Sequence, residues 1–236
     1  MALNFQTFRT RTLTAAVFVA VMLVGLLWNF WSFLVLFTVI HFGCWVEFVK
    51  LIKKIYPDKY LYYCLLGLSY ITIPVLMMIS LGIEWRIYTV NNTNEIIYHK
   101  IIPCGIIFSI WINDTMAYLV GSIIGKTPLT KISPKKTWEG TLGGIILCII
   151  AIGFLFPLFF VNEIRLSTIP ITAWFTIPAL CAIFGTAGDL FESKLKRMAD
   201  VKDSGSFMPG HGGFLDRFDS LLFAVPAIWV YVYFFS

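Results

Sequence analysis

The sequence predicts an all-α integral membrane protein, a polytopic helical bundle of about seven transmembrane helices with a cytoplasmic N-terminus. Apolar residues make up 58% of the 236 residues and charged residues 13%, whereas soluble domains average about half and about a quarter. The mean hydropathy is +0.82. The apolar residues form stretches of about 20, the helix length that crosses roughly 30 Å of hydrocarbon. A single membrane domain, 1–236, is therefore expected.

Apolar stretches define the expected helices in order along the chain. Arg9 and Arg11 precede the first stretch, as in a signal peptide, but the apolar run continues past Trp28 to about Phe48. Two helices joined by a short aromatic turn are therefore expected instead of a cleaved leader. The polar segment 84–100 is expected to be a connector. The predicted spans are 12–28, 31–49, 61–83, 101–125, 141–161, 171–190 and 218–235.

Lysine and arginine are distributed unevenly among the connecting segments. With the N-terminus inside, only Arg86, Lys100 and Arg165 of the 18 basic residues fall on the outer side. Basic residues accumulate in the cytoplasmic loops of membrane proteins, so this distribution supports seven spans and a cytoplasmic N-terminus. It also brings the two loops richest in polar residues, 126–140 and 191–217, to the same cytoplasmic face.

Carboxylates inside membrane helices are functional candidates, because each costs about 2.5–3.5 kcal/mol at the helix centre on insertion scales. Asp114 lies midway along the fourth predicted span. Helical spacing places it in a stripe of polar and small residues, which either lines a polar cavity or allows close helix packing. The stripe consists of Asp114, Tyr118, Gly121, Ser122 and Gly125. Glu47, by contrast, is expected to pair with Lys50 near the end of the second span.

A second polar face begins where the sixth predicted span ends. Its members share helical spacing and combine carboxylates with cations: Asp189, Glu192, Ser193, Lys196, Arg197 and Asp200. Carboxylates can hold a metal ion while cations bind phosphate oxygens, so this face fits a metal-bound polyphosphate. A solvated amphipathic helix is the alternative.

The segment Ser193–Ser220, SKLKRMADVKDSGSFMPGHGGFLDRFDS, is polar and glycine-rich within an otherwise apolar chain. Glycine lets a backbone approach a ligand closely and point its N–H groups at phosphate. Asp216 and Asp219 follow at the start of the seventh span, so Asp189 and Asp216 arrive from different helices. These two carboxylates predict a Mg²⁺ site, because Mg²⁺ takes a few protein oxygens and leaves its other positions to phosphate and water.

Loop 126–140 is expected to supply the other half of the site. Two cations, two hydroxyls and a carboxylate precede the fifth span: Ser133, Lys135, Lys136, Thr137 and Glu139. A basic loop at the membrane surface is the alternative, but it does not account for Glu139. The nearby GSIIGKT at 121–127 is not a P-loop, since only three residues separate its glycines where the motif needs four.

Several functional classes fit the sequence poorly. There is no basic stripe outside the polar loops, so no nucleic acid is expected as a partner. An ion or lipid transporter stays a remote alternative, because transporters spread intramembrane charge over several helices and usually repeat one half. The charges here concentrate at one face instead. The five cysteines are widely spaced in or beside apolar stretches, so they are expected to be packing residues.

The segment S-x-L-K-R-x₄-K-D-x-G…P-G-H-G-G-x-L-D-R-x-D-S, from Ser193 to Ser220, resembles the signature of the phosphatidate cytidylyltransferases, also called CDP-diacylglycerol synthases. WINDTMAYLVGSIIGK at 111–126 and SPKKTWEG at 133–140 resemble two upstream blocks of that family. Met208 stands where the family usually has a branched aliphatic residue or Phe, and the N-terminal part is short. The chain thus divides into N-terminal helices, 1–100, and a catalytic portion, 101–236.

The resemblance implies transfer of a cytidylyl group from CTP to phosphatidic acid, which gives CDP-diacylglycerol and pyrophosphate. The anionic lipid phosphate would attack the α-phosphorus of CTP in line, so that catalysis depends on positioning and charge neutralisation. Asp189 and Asp216 are then the expected Mg²⁺ ligands. Asp219 would be a supporting ligand or a ligand of a second metal ion.

The same resemblance implies roles for residues of both loops. Lys202 and Arg217 are expected to be catalytic cations, and Asp114 to line the path of the lipid head group. His211 is expected either to donate to a phosphate oxygen or to hold its glycine-rich turn. The other expected substrate-binding residues are Ser133, Lys135, Lys136, Thr137, Glu139, Ser193, Lys196 and Arg197.

Two enzymatic alternatives keep the fold and change the reaction. The acceptor could be another lipid phosphate, such as an isoprenoid ether lipid, or the chain could be a CTP-dependent lipid kinase. A bacterial inner membrane with the active site on the cytoplasmic face is the expected location. A homodimer is left open.

Overall fold

Long apolar helices make up most of the structure, a computed structural model that describes residues 5–88, 93–161, 170–207 and 212–235. A two-stranded antiparallel hairpin lies between the fourth and fifth of these helices. The elements in these ranges are α1 (Phe5–Leu27), α2 (Phe30–Ile55), α3 (Tyr60–Cys64), α4 (Ile73–Leu81), β1 (Ile83–Tyr88), β2 (Thr93–Tyr98), α5 (Ile101–Ile124), α6 (Trp138–Phe159), α7 (Ala173–Met198) and α8 (Leu215–Phe235).

Six helical units in the described ranges are long and apolar enough to cross a membrane. They are α2, the unit Tyr60–Leu81, and α5 to α8, while the N-terminal helix adds a shorter apolar stretch, Thr12–Leu27. Large apolar side chains such as Val39, Phe154 and Ile183 are exposed on the outside of the bundle. Because hydrocarbon tolerates these side chains and helices satisfy their own backbone, the chain is a multi-pass membrane protein. The predicted helical bundle is confirmed.

Local capping interactions explain where two of these helices begin. Asn29 accepts from the Ser32 N–H at 2.9 Å, and the Ser32 hydroxyl accepts from the Asn29 N–H at 3.1 Å. This reciprocal pair is a capping box, and it ends α1 and starts α2 inside the predicted aromatic turn. Thr137 caps α6 in a simpler way, by accepting from the Gly140 N–H at 3.1 Å.

Three details differ from the predicted spans. The third span is divided into α3, a π-helical turn at Leu68–Thr72, and α4. Pro74 lies in the first turn of α4. Proline is a common cause of such an irregularity, because it has no backbone N–H to donate to the preceding turn of the helix. The connector 84–100 forms a hairpin together with Ile83, which pairs with Tyr98. Finally, α7 continues to Met198, about two turns past the predicted end at 190.

Close packing of α5 against α6 positions the start of α6. A Cβ atom on Gly144 would lie 2.7 Å from the Ala117 Cβ, and one on Gly140 would lie 2.7 Å from the Ala117 carbonyl oxygen. Small residues on facing helices allow such approaches in membranes. The other main contact joins α7 to α8. The contact of Lys136, just before α6, with Asp189 in the second half of α7 places the loop before α6 at the end of the bundle where α7 leads into the loop before α8.

Candidate functional site

A polar cavity of about 550 Å³ lies between α5, α6, α7 and the start of α8. The loop before α6 and the start of α8 both contribute to its wall, so the two polar segments 126–140 and 191–217 meet at one cavity. Asn113, Thr141 and Thr186 add further polar groups. Nine residues expected from the sequence line this cavity: Asp114, Ser133, Lys135, Lys136, Thr137, Asp189, Asp216, Arg217 and Asp219.

An ion pair joins the two halves of the site. The Lys136 ammonium lies 2.5 Å from Oδ2 of Asp189, which connects the loop before α6 to α7. Both side chains remain partly exposed, Lys136 at 33% and Asp189 at 27%. An ion pair between partly exposed side chains is weak. Each partner is therefore able to exchange its contact for a bound anion or cation.

Glu139 organises the loop before α6 from outside the cavity wall. Its carboxylate accepts from the backbone N–H of Lys126 at 3.2 Å, and from the N–H and the hydroxyl of Thr127, the latter at 2.9 Å. The Trp138 N–H also donates to the Thr127 carbonyl at 3.0 Å. Glu139 was expected to bind substrate. Its contacts instead close the loop that carries Lys135 and Lys136.

Asp216 reaches the cavity, but protein groups surround its carboxylate. Oδ1 accepts from the Lys196 ammonium at 2.7 Å, while Oδ2 accepts from the backbone N–H groups of Ser204 at 2.9 Å and Gly213 at 2.8 Å. The Ser204 hydroxyl makes an additional contact with Oδ2, at 2.9 Å. The expected metal role would require Asp216 to give up some of these contacts. As placed, it holds the loop between α7 and α8 against α7.

Lys196 lies between two carboxylates instead of facing a phosphate site. It contacts Glu192, one turn earlier on α7, and Asp216 on α8. The Glu192 side chain is completely buried, and the Lys196 side chain is only 15% exposed. Two buried carboxylates need a cation nearby. The expected phosphate contact of Lys196 is therefore replaced by a structural ion triad that links α7 to α8.

The remaining expected residues lie away from the cavity wall or outside the described residues. Ser193 is partly buried, while Arg197 and Lys202 are exposed. The cavity wall includes none of these three. The face from 189 to 200 consequently divides: Asp189 enters the cavity, the next turns form the buried triad, and Arg197 faces outward. His211 belongs to a stretch outside the described residues.

Three carboxylates of the cavity have capacity for a cation. Asp114 comes from α5, Asp189 from α7 and Asp219 from α8, and all three line the same cavity. No cluster of three or more metal-ligating side chains occurs among the described residues. Two protein carboxylates suit Mg²⁺, which takes its other ligands from phosphate and water. Asp189 and Asp219 fit that requirement better than Asp216 does.

Comparison with protein families identifies the chain from its sequence. A model described as "Cytidylyltransferase family" matches residues 72–235, which include the whole wall of the cavity except Phe18. The chain belongs to the cytidylyltransferase family. The match begins within the unit Tyr60–Leu81, so α1 and α2 of this cytidylyltransferase family member lie outside it.

Several curated relatives carry the name phosphatidate cytidylyltransferase. The relative from Bacillus subtilis is 44% identical over 128 residues, which cover 54% of this chain and 45% of the relative. The relative from Aquifex aeolicus is 42% identical over 125 residues, or 52% and 44% of the two chains. A chloroplastic relative from Arabidopsis thaliana is 45% identical over 130 residues, or 55% and 30%. This chain therefore spans less than half of the length of each of these three relatives.

Some site residues of this cytidylyltransferase family member were not predicted. Thr186 precedes Asp189 by three residues and Thr141 follows Thr137 by four, so helical spacing could have placed both at the cavity. Glu47 carried no such signal. Its side chain was expected to pair with Lys50, but it is buried, with 6% exposure, and bonds to the loop and helix start around Ser204 and Leu215.

A larger groove of about 960 Å³ runs beside α7 and α8 but lacks the polar groups of the site. Phe184, Phe191, Phe223 and Val230 are typical of its wall. Such a surface suits hydrocarbon. The smaller polar cavity is therefore the candidate active site of this cytidylyltransferase family member.

Proposed function

We propose that this chain transfers the cytidylyl group of CTP to phosphatidic acid, giving CDP-diacylglycerol and pyrophosphate. The observation that carries the proposal is the polar cavity, in which Lys135, Lys136 and Arg217 lie with Asp189 and Asp219 inside a membrane bundle. Cations and carboxylates together fit a polyphosphate with its metal ion. The relatives named phosphatidate cytidylyltransferase support the choice of CTP and of the lipid.

The reaction needs little covalent help from the protein. An oxygen of the lipid phosphate forms a bond to the α-phosphorus of CTP, while the bond from that phosphorus to the bridging oxygen of pyrophosphate breaks. The lipid phosphate is already anionic at neutral pH, so no strong general base is required. Phosphoryl-type transfer of this kind depends on positioning and on stabilising charge.

The cavity residues divide this work between the two loops. Lys135 and Lys136 would bind phosphate oxygens from the α6 side, and Arg217 would bind them from the α8 side. Ser133 and Thr137 add hydroxyl donors. Because Lys136 already contacts Asp189, its ammonium lies beside the expected metal position. It would move only a short distance to reach a phosphate bound there.

Mg²⁺ would be held by Asp189 and Asp219. When bound, the ion would neutralise charge on the triphosphate and favour departure of pyrophosphate. Asp216 was the partner expected from the sequence, but its oxygens already accept from Lys196, Ser204 and Gly213. Asp216 would instead fix the start of α8, from which Arg217 and Asp219 reach the cavity.

Location and assembly are also proposals. The basic residues of the loops support an active site on the cytoplasmic face, and bacterial relatives support an inner membrane. The homodimer stays a prediction. Transport is not favoured, because the relatives are named for cytidylyl transfer.

A labelling experiment with purified protein in detergent tests the proposal. With phosphatidic acid and Mg²⁺, CTP labelled at the α-phosphate should transfer its label to the lipid, and CTP labelled at the γ-phosphate should release its label as pyrophosphate. Label from the γ-phosphate in the lipid would instead establish a lipid kinase. Parallel assays with an isoprenoid ether lipid phosphate test the acceptor. A folded protein that forms no labelled lipid from any acceptor would overturn the proposal.

A further inference from the structure

Glu47 connects α2 to the site across most of the length of the chain. Its Oε2 accepts from the Ser204 hydroxyl at 2.7 Å and from the Leu215 N–H at 2.9 Å, while Oε1 accepts from the Phe214 N–H at 3.0 Å. These partners lie 157 to 168 positions away in the sequence. Glu47 precedes the part of the chain that matches the family, residues 72–235.

The contacts of Glu47 complete the N-terminus of α8. The first N–H groups of a helix have no partners within the helix and carry a partial positive charge. Here the Phe214 and Leu215 N–H groups donate to Glu47, and the Gly213 N–H donates to Asp216. Glu47 thus caps the start of α8 from α2, while Asp216 binds the N–H of Gly213 just before that start.

Ser204 joins these two carboxylates. Its hydroxyl oxygen lies 2.7 Å from Oε2 of Glu47, in a buried contact, and 2.9 Å from Oδ2 of Asp216, in a partly buried one. A hydroxyl has one proton, so it donates to only one carboxylate at a time. The position of Asp216 is thereby coupled to that of Glu47.

Two glycines of the loop make room for this carboxylate. A Cβ atom on Gly205 or Gly213 would fall within van der Waals overlap of the Glu47 carboxylate oxygens. The sequence suggested that these glycines allow close approach to phosphate. In the structure, their close approach is to Glu47.

We infer that Glu47 is a positioning residue for the proposed cytidylyl transfer: from α2, it sets the loop before α8 and the start of α8, and thereby Asp216, Arg217 and Asp219. The expected effect on kinetics rests on the proposed function. The structural part of the inference, that Glu47 orders the loop and the helix start, is independent of the proposed function. The N-terminal helices accordingly contribute to the site as well as to the membrane anchor.

Glu47→Gln is the sharpest variant, because it keeps the shape and replaces one acceptor oxygen by an NH₂ group. That group would face an N–H of Phe214 or Leu215, so one donor would be left unpaired. We expect the amides of Ser204, Phe214 and Leu215 to exchange hydrogen about tenfold faster or more, since hydrogen bonds to charged groups have at least that effect. Amides of loop 126–137 should keep their rates and provide the internal reference.

The kinetic measurement separates positioning from loss of stability. For Glu47→Gln, kcat/KM for CTP should fall about tenfold or more at a temperature where the protein stays folded. Phe33→Leu is the stability control, because Phe33 is buried on the same helix away from the loop. Asp58→Asn is the charge control, because Asp58 is exposed. The inference would be overturned if the hydrogen-exchange rates and the kcat/KM of Glu47→Gln matched those of Phe33→Leu or of Asp58→Asn.

Ser204→Ala keeps the test decisive if Glu47→Gln fails to fold. It removes the hydroxyl but leaves the backbone contacts of Glu47, so a smaller increase in exchange at Phe214 and Leu215 is expected. Unchanged exchange in Ser204→Ala would count against the inference. In the double variant, the two effects should be non-additive, since both residues act through one contact. If the wild-type protein forms no CDP-diacylglycerol, the proposed function fails, while hydrogen exchange still decides the structural part.

Discussion

The Lys136 ammonium lies 2.5 Å from the Asp189 carboxylate, so the loop before α6 is bonded directly to α7. Both side chains also face the polar cavity. In the absence of a bound nucleotide, each neutralises the other. A triphosphate with its metal ion would provide new partners for both at once, since phosphate attracts the lysine and the metal ion attracts the carboxylate.

Replacement of Lys136 by Met should lower kcat/KM about 100-fold, because loss of one preorganised charge contact in the transition state has an effect of that size. Met keeps most of the side-chain length and removes the charge. Lys131→Met in the same loop is the matched control, since Lys131 is exposed and lies outside the cavity wall. Similar activities of the two variants would exclude a specific role for Lys136.

The choice of metal ligands can be tested by titrating Mg²⁺. Asp189→Asn and Asp219→Asn should each raise the Mg²⁺ concentration for half-maximal activity about tenfold or more. Asp216→Asn should leave that concentration nearly unchanged and lower thermal stability, because its contacts are to Lys196, Ser204 and Gly213. Binding of Mn²⁺ followed by electron paramagnetic resonance gives the same comparison without turnover. A larger shift for Asp216→Asn than for Asp219→Asn would restore the pair expected from the sequence.

Lys196→Met should destabilise the folded protein by about 3–5 kcal/mol, because it leaves the carboxylates of Glu192 and Asp216 without their buried cation. Unfolding in detergent, followed by heat or denaturant, measures the loss. Lys194→Met is the control on the same helix, since Lys194 is exposed. Adding Glu192→Gln should recover part of the stability. Lys196→Met with wild-type stability but a raised KM for CTP would instead support the phosphate role expected from the sequence.

Glu139→Ala should lower activity about tenfold by loosening the loop that carries Lys135 and Lys136, because the N–H groups of Lys126 and Thr127 lose their acceptor. Faster hydrogen exchange of these amides should accompany the loss. Lys126→Ala removes an exposed side chain but keeps the backbone N–H, so it should behave like the wild type. Loss of activity in Glu139→Ala with unchanged exchange would point to direct contact with substrate instead.

The sequence predicted most of the bundle because hydrophobic length is a local property. Helices near 101–125 and 218–235 follow from runs of apolar residues, and the structure places α5 and α8 within a turn of those limits. The division of the third span around Leu68–Thr72 was not predicted. A single proline, Pro74, is compatible with either a continuous or an interrupted helix, so packing decides between them.

Helical spacing predicted part of the site correctly and part of it incorrectly. Spacing placed Asp114 and Asp189 on faces that do line the cavity. The same spacing grouped Lys196 with Asp189, although Lys196 lies a further two turns along α7 and is enclosed by Glu192 and Asp216. A helical face shows which residues point the same way, but it does not show where a neighbouring helix covers that face.

The amino-acid sequence by itself determined that the chain crosses a membrane several times and that its charges gather in two loops, because burial of apolar length and the cost of charge in hydrocarbon act on each segment separately. Tertiary structure decided which charges are available to a ligand. Lys136 and Asp189 share a cavity as partly exposed side chains. Lys196 is instead enclosed by Glu192 and Asp216, and Glu47 is buried by groups distant in sequence. Hydrogen-bond donors and acceptors select their partners by distance in space, and only the packed helices establish those distances.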